Sequence, residues 1–235
     1  MYERQSRLSD RKRERLIEHF VACKTGRAAA ELVGVHRNTA ASFYTRLRKV
    51  IAEETEKEME RASPVGGEIE LHVVDFRKFY KYNRDWDASS AVFVFSIFQR
   101  GGKVYTEVMP NIQPASLMSI MERLILPDSV VYTYGDPEYD ALDVSNFKHV
   151  RPKDLNLSFW VQDNLLWISE FWMRVSYSVA HFHGIPRQSL HLFLKEFEWR
   201  YSGLYISEEE QGLEQGLGAL TNQLKAWVRL RQKRT

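Results

Sequence analysis

"VVYTYGDPEYDALDVSNFKHV", residues 130–150, begins as a buried β-strand, ends in a turn, and carries a phenol, Tyr134, where the strand stops. Its neighbours decide what that strand belongs to. Upstream, "EIELHVVDFRKFY" (68–80) alternates and is rich in β-branched residues, and "SSAVFVFSIFQRGGKVYTEVMP" (89–110) reads as two strands around the Gly101-Gly102 turn. "PASLMSIMERLIL" (114–126) has apolar residues three and four apart and reads as a helix before the fourth strand, "SVVYTYG" (129–135). Downstream come a short helical or looped section from Tyr139 to Phe147, a short edge strand "KHVRP" (148–152), and a long aromatic helical region from about Asn164 to His183. Three antiparallel strands, a helix, a strand and further helices is an order typical of the ribonuclease-H-like α/β fold. The expected class is therefore α/β (α+β), with a mixed sheet.

The chain has 235 residues, 44% hydrophobic and 13% aromatic, enough for one main core and a smaller unit. A single cysteine, Cys23, excludes an internal disulfide and any multi-cysteine metal site, and its place on the apolar side of the first helix predicts an inert thiol. The polar N-terminus and the short apolar runs point away from the membrane and toward a cytoplasmic, nucleoid-associated protein. The net charge of +2 is unevenly spread. Residues 1–50 carry twelve Lys and Arg against five Asp and Glu, a net of +7, which leaves −5 for the rest. A basic head on a near-neutral body is the footprint of a polyanion-binding protein.

Within that head, "LSDRKRERLIEHFVAC" (8–23) reads as an amphipathic helix capped by Ser9. "TGRAAAELVGVHRNTAASFYTRLRKVI" (25–51) reads as a short helix, a turn at Gly34, Val35 as a buried plug, and a second helix from about Asn38. That is a helix-turn-helix, with Arg27, His36, Arg37, Asn38, Thr39, Ser42 and Arg46 turned outward to reach phosphates and base edges of double-stranded DNA. The acidic stretch "AEETEKEMERASP" (52–64) ends the head, and the domain boundaries are read as 1–62, 63–205 and 206–235. The last of these, with Leu213, Leu217, Leu220, Leu224 and Trp227 at helical spacing, is an amphipathic helix with a basic end, suited to sealing the core, touching phosphates or pairing two subunits. A homodimer is expected, since helix-turn-helix proteins gain affinity by dimerising, and a further protein partner is left open.

The phrases "GGKVYTEVMPN", "PDSVVYTYGDPEYDALDVSNFKHVR" and "FHGIPRQSLHLFLKEFEWRY", together with the head, resemble the small bacterial insertion-sequence transposases related to the Merlin elements. The resemblance covers nearly the whole chain. It implies a helix-turn-helix that reads element ends, then a ribonuclease-H-like core whose acidic residues hold two divalent metals, magnesium or manganese. By the same resemblance the three acids would stand at His72 in "GEIELHVVDF", at Tyr134 after "VYT", and at Ser169 in "WISEFW". None is a carboxylate, and Arg77 and Lys78 stand where the family has a glycine pair.

Two hard dications need anionic oxygens, which histidine, phenol and hydroxyl side chains do not supply. Three nearby acids are the fallback. Asp75, three residues past His72, points to the opposite strand face; Asp136 lies beyond its strand; Glu170 is rotated about 100° from Ser169 around a helix. No cofactor and no metal are therefore expected. His181, His183 and His191 fit no metalloprotease spacing, and Trp160, Trp167, Phe171 and Trp172 read as core anchors. The expected function is a transposase-derived, sequence-specific DNA-binding protein acting as regulator or assembly factor. The alternatives are an active transposase using the shifted carboxylates with a divalent metal, and a protein-interaction module whose head has lost DNA affinity.

Overall fold

The computed structural model describes residues 8–79, 91–151, 165–181, 185–210 and 213–232, without the side chains of 78, 144, 181, 205–210 and 232. The expectations placed on Trp160, Asn164, the imidazoles of His181 and His183, and the basic residues 233 and 234 lie outside that description. The chain divides into two compact units, residues 1–53 with 203–235 and residues 54–202.

The first unit is helical. α1 (Asp10–Val21) starts at Ser9, whose hydroxyl accepts from the Lys12 amide, and α2 (Gly26–Val33) starts at Thr25, which accepts from the Ala28 amide. Gly34 ends α2 in the left-handed region at φ 66°, a conformation that costs glycine nothing. Two cations of α1 finish that helix end: Lys12 Nζ donates to Gly34 O at 2.8 Å and Arg15 Nη2 to Leu32 O at 2.9 Å. α3 (Arg37–Ala62) is a single helix, so the acidic stretch continues the second helix of the head. α1 packs on α2, with Leu16, Ile17, Phe20 and Val21 of the first, Ala29, Ala30 and Val33 of the second, and Ala40, Phe43, Tyr44 and Leu47 of α3 all buried, and Phe20 touches Tyr44 edge-on at 4.9 Å. Cys23 differs from its expectation. It lies past the end of α1 at φ 56° and is exposed, because the Cys23 and Lys24 amides fold back onto Phe20 and His19 carbonyls.

The C-terminal helix (Leu213–Gln232, named α7 below) also belongs to this unit and packs on α1. Of its apolar stripe, Leu220 and Leu224 are buried, Leu217 and Trp227 half-buried, and Leu213 exposed.

The second unit is built on a five-stranded sheet, β1 (Glu68–Asp75), β2 (Phe93–Gln99), β3 (Val104–Met109), β4 (Val130–Tyr132) and β5 (Lys148–Val150), in the spatial order β3-β2-β1-β4-β5. β1, β2 and β3 are antiparallel neighbours, and β4 and β5 run parallel to β1. α4 (Pro114–Leu124) makes the crossover before β4; α5 (Leu166–His181) and α6 (Leu190–Glu210) follow the sheet. This order is that of the ribonuclease-H-like class.

Strand alternation sorts β1 onto two faces. Ile69 and Leu71, with Phe95, Ile97, Tyr105 and Val131, cluster against Leu117, Ile120, Met121 and Leu124 of α4. Glu70 and His72 belong to the other face, where α5 packs. The edge strand β3 is covered by a polar row on α6. Ser202 accepts from the Val104 amide and Glu198 from the Thr106 amide, while Lys195 donates to the Thr106 carbonyl. Side chains thus satisfy backbone groups that would otherwise template a foreign strand.

Candidate functional site

The face of β1 next to α5 leads to the end of β4, and three side chains converge there. His72 comes from β1, Tyr134 from the chain just past β4, and Ser169 from the first turn of α5. The Tyr134 phenol and Ser169 hydroxyl are 2.8 Å apart, and the rings of His72 and Tyr134 lie 4.6 Å apart at a 50° tilt. The three positions singled out from sequence are therefore neighbours in space, although 97 residues separate the first from the last in the chain.

Burial pushes the Tyr134 phenol pKa up, the Ser169 bond opposes this, and the charges of Glu70 and Asp136 add to the rise. The phenol is neutral at pH 7 and acts as a hydrogen-bonding group. Around it the backbone is equally committed. Tyr139, fully buried, accepts the Val73 amide at 2.9 Å with its hydroxyl, beyond the last residue of β1 that pairs with β4. Ser96 donates to the His72 carbonyl and takes the Trp172 indole N–H at 2.9 Å, tying β1, β2 and α5 together.

Glu70 was not singled out by sequence reasoning. It is fully buried and accepts the amides of Trp167 and Ile168 at 3.0 Å each, at the N-terminus of α5, with Arg100 Nε at 3.2 Å. Burial raises its pKa, and the Ile168 amide and Arg100 oppose the rise. Its signal was available: two residues before His72 is the same strand face. Glu70 caps the helix that presents Ser169.

The fallback acids stay apart. Asp75 is clamped by Arg77, 2.7 Å from Nη2, and lies on the opposite strand face from His72. Glu170 pairs with Arg174 at 2.7 Å and approaches the Tyr201 hydroxyl. Asp136 precedes the 3-10 helix Pro137–Val144 without capping it through its side chain. Among the described residues, no group of three or more His, Cys, Asp or Glu side chains is arranged to hold a metal ion. The donor set where His72, Tyr134 and Ser169 converge is one imidazole, one phenol and one hydroxyl, which does not fit a pair of hard dications.

A second candidate surface lies on the helical unit. His36, Arg37, Asn38, Ser42 and Arg46 are exposed, as are Ala41, Thr45 and Lys49 on the same side of α3, while Thr39 is half-buried. His36 precedes α3, and its Nδ1 accepts the Asn38 amide at 3.2 Å, so this ring is partly used in capping. Arg27 is exposed, 3.9 Å from Glu31. The basic end of α7 is not loose: Lys225, Arg229 and Arg231 all contact acids of α1 and α3.

The sheet order and the convergence of β1, the end of β4 and α5 define a ribonuclease-H-like core of the kind that transposase domains use. Residues 60–202 match the family of the ISXO2-like transposase domain, and the chain belongs to that family. An uncharacterized transposase-like protein of Haemophilus influenzae is 40% identical over 116 residues, spanning 48% of this chain and 92% of that protein. Among solved structures, the Mos1 strand transfer complex aligns over 97% of this chain and 79% of the Mos1 chain, at 13% identity and a TM-score of 0.38. A pre-cleavage Mos1 transpososome aligns at a TM-score of 0.36, with 13% identity over 97% of this chain and 80% of the other. Among the described residues no helix is long and apolar enough to cross a membrane.

Proposed function

We propose that this protein is a transposase-derived, sequence-specific DNA-binding protein that has lost metal-dependent strand cleavage and acts as a regulator or assembly factor. The observation that carries the reading is the contact of Tyr134 with Ser169 and His72 at the family's metal position, where a phenol bonds a hydroxyl and lies against an imidazole ring. Two further observations support it. Two of the fallback acids are paired, Asp75 with Arg77 and Glu170 with Arg174, and Glu70 is spent on the α5 amides. The exposed side of α3 offers Arg37, Asn38, Ser42 and Arg46, which can donate to phosphates and base edges from a helix that follows a tight turn.

DNA of element-end or promoter type is the partner, bound by the head in a homodimer and without a metal cofactor. The test is a pair of assays on the full chain. A shift of duplex DNA that is salt-sensitive and indifferent to chelator, with no nicking in magnesium or manganese, is the expected result. Metal-dependent nicking, or tight manganese uptake by calorimetry in the unaltered chain, would overturn it in favour of an active transposase using Asp75, Asp136 and Glu170.

A further inference from the structure

Three exposed ion pairs join α7 to the N-terminal helices, and all have the same polarity. Lys225 Nζ meets Glu18 at 2.7 Å, Arg229 Nη2 meets Glu14 at 2.9 Å, and Arg231 Nη2 meets Glu53. Every cation comes from α7, and every acid from α1 or α3. The two other acids between residues 8 and 53 also face cations, Asp10 meeting Arg13 at 2.9 Å and Glu31 lying 3.9 Å from Arg27. Three of the five acids in this part of the unit are thus covered by a helix nearly two hundred residues away in sequence.

Exposed pairs of this kind stabilise a fold only weakly, and α7 is already anchored by the burial of Leu220 and Leu224. What the pairs change is the field. Ser42, Arg46, Lys49 and Glu53 follow one another at helical spacing on one side of α3, and Glu53 lies about 6 Å along the axis from Lys49. Unmasked, Glu53 would put a carboxylate on the basic stripe that Arg46 and Lys49 form. It would stand within a Debye length of any phosphate those residues hold.

We propose that α7 is a charge-masking component of the duplex-DNA interface: it neutralises Glu14, Glu18 and Glu53 so that the head presents a continuous positive surface to the phosphate backbone. This rests on the reading of α3 as the DNA-facing helix. It makes the composite of α1, α3 and α7 the binding unit. The cations of α7 serve by cancelling acids, with their hydrogen bonds directed inward.

The experiment compares three full-length proteins on mixed-sequence duplex DNA between low and moderate salt, with circular dichroism and thermal unfolding as fold controls. One is unaltered. The second carries Lys225→Glu, Arg229→Glu and Arg231→Glu. The third adds Glu18→Lys, Glu14→Arg and Glu53→Arg, which restores each pair with its polarity exchanged. The reversal is expected to lower affinity by about tenfold or more at low salt, and the deficit to shrink as added salt screens the charges. The exchanged protein is expected to bind like the unaltered one. Unchanged affinity in the reversal, or a deficit that is independent of salt and not recovered by the exchange, would overturn the masking role while leaving the DNA reading of α3 in place. No binding by the unaltered chain would remove that reading and this inference with it.

Discussion

Tyr134 is a hydrogen-bonded phenol, and its energetic share is that of a single partly buried bond to Ser169. Tyr134→Phe is expected to lower stability by about 1 kcal/mol, and the same loss is expected for Ser169→Ala. The double substitution should cost less than the sum, which a urea-denaturation double-mutant cycle reads directly. Additive losses would separate the two residues. Glu70 has more depending on it, since two α5 amides and Arg100 meet its carboxylate. Glu70→Leu leaves those amides buried and unpaired and is expected to cost about 3 kcal/mol, whereas Glu70→Gln keeps an acceptor oxygen and should cost clearly less. Equal losses for the two variants, measured by denaturant midpoint, would contradict the capping role. Glu70 escaped sequence reasoning because its burial and its α5 partners, almost a hundred residues away, leave no mark in the local pattern of the strand.

At the scale of elements, two polar devices hold the sheet at its edges. On β5, His149 is nearly enclosed, with Nδ1 2.6 Å from Asp143 and Nε2 2.7 Å from the Thr133 hydroxyl, which also reaches the Tyr134 carbonyl. Burial pushes its pKa below the usual 6.5, and the Asp143 carboxylate only partly offsets this, with Arg151 lowering it further and Asp140 raising it. The unfolded chain therefore takes the proton first as the pH falls through 6.5, and binds more protons than the folded state in the window below it. Stability is expected to decline with falling pH in that window and to be fully present above it. His149→Gln should flatten that limb of the stability profile, measured by thermal unfolding between neutral and mildly acidic pH. On β3, Lys195 and Glu198 form a buried pair at 2.8 Å that also serves the Thr106 backbone. Lys195→Met strands the Glu198 charge and is expected to cost about 3–5 kcal/mol, while Lys195→Met with Glu198→Leu should recover part of it in chemical denaturation. The strands and helices themselves were legible because apolar periodicity marks them. The 3-10 helix Phe76–Phe79 was not, since Phe76 and Phe79 continue the pattern of the strand before them.

For the whole molecule, the prediction concerns the head. Replacing Arg37 and Arg46 by alanine is expected to abolish specific DNA binding, to reduce the salt slope by about 2, and to leave the thermal transition in place, because both side chains are exposed. An unchanged slope in a titration of affinity against salt would remove α3 from the interface. The division of labour between sequence and tertiary structure follows from the range of the forces involved. Alternating and helical hydrophobicity, Gly34 at the turn and the charge imbalance of the first 50 residues are local properties, and they determined the helices, the strands and their order along the chain. Only the tertiary structure decided that His72, Tyr134 and Ser169 touch, that Glu70 is spent on a helix end, and that α7 returns to cover the acids of α1 and α3. Those facts depend on contacts between residues tens to hundreds of positions apart, and such contacts are set by how faces pack in three dimensions.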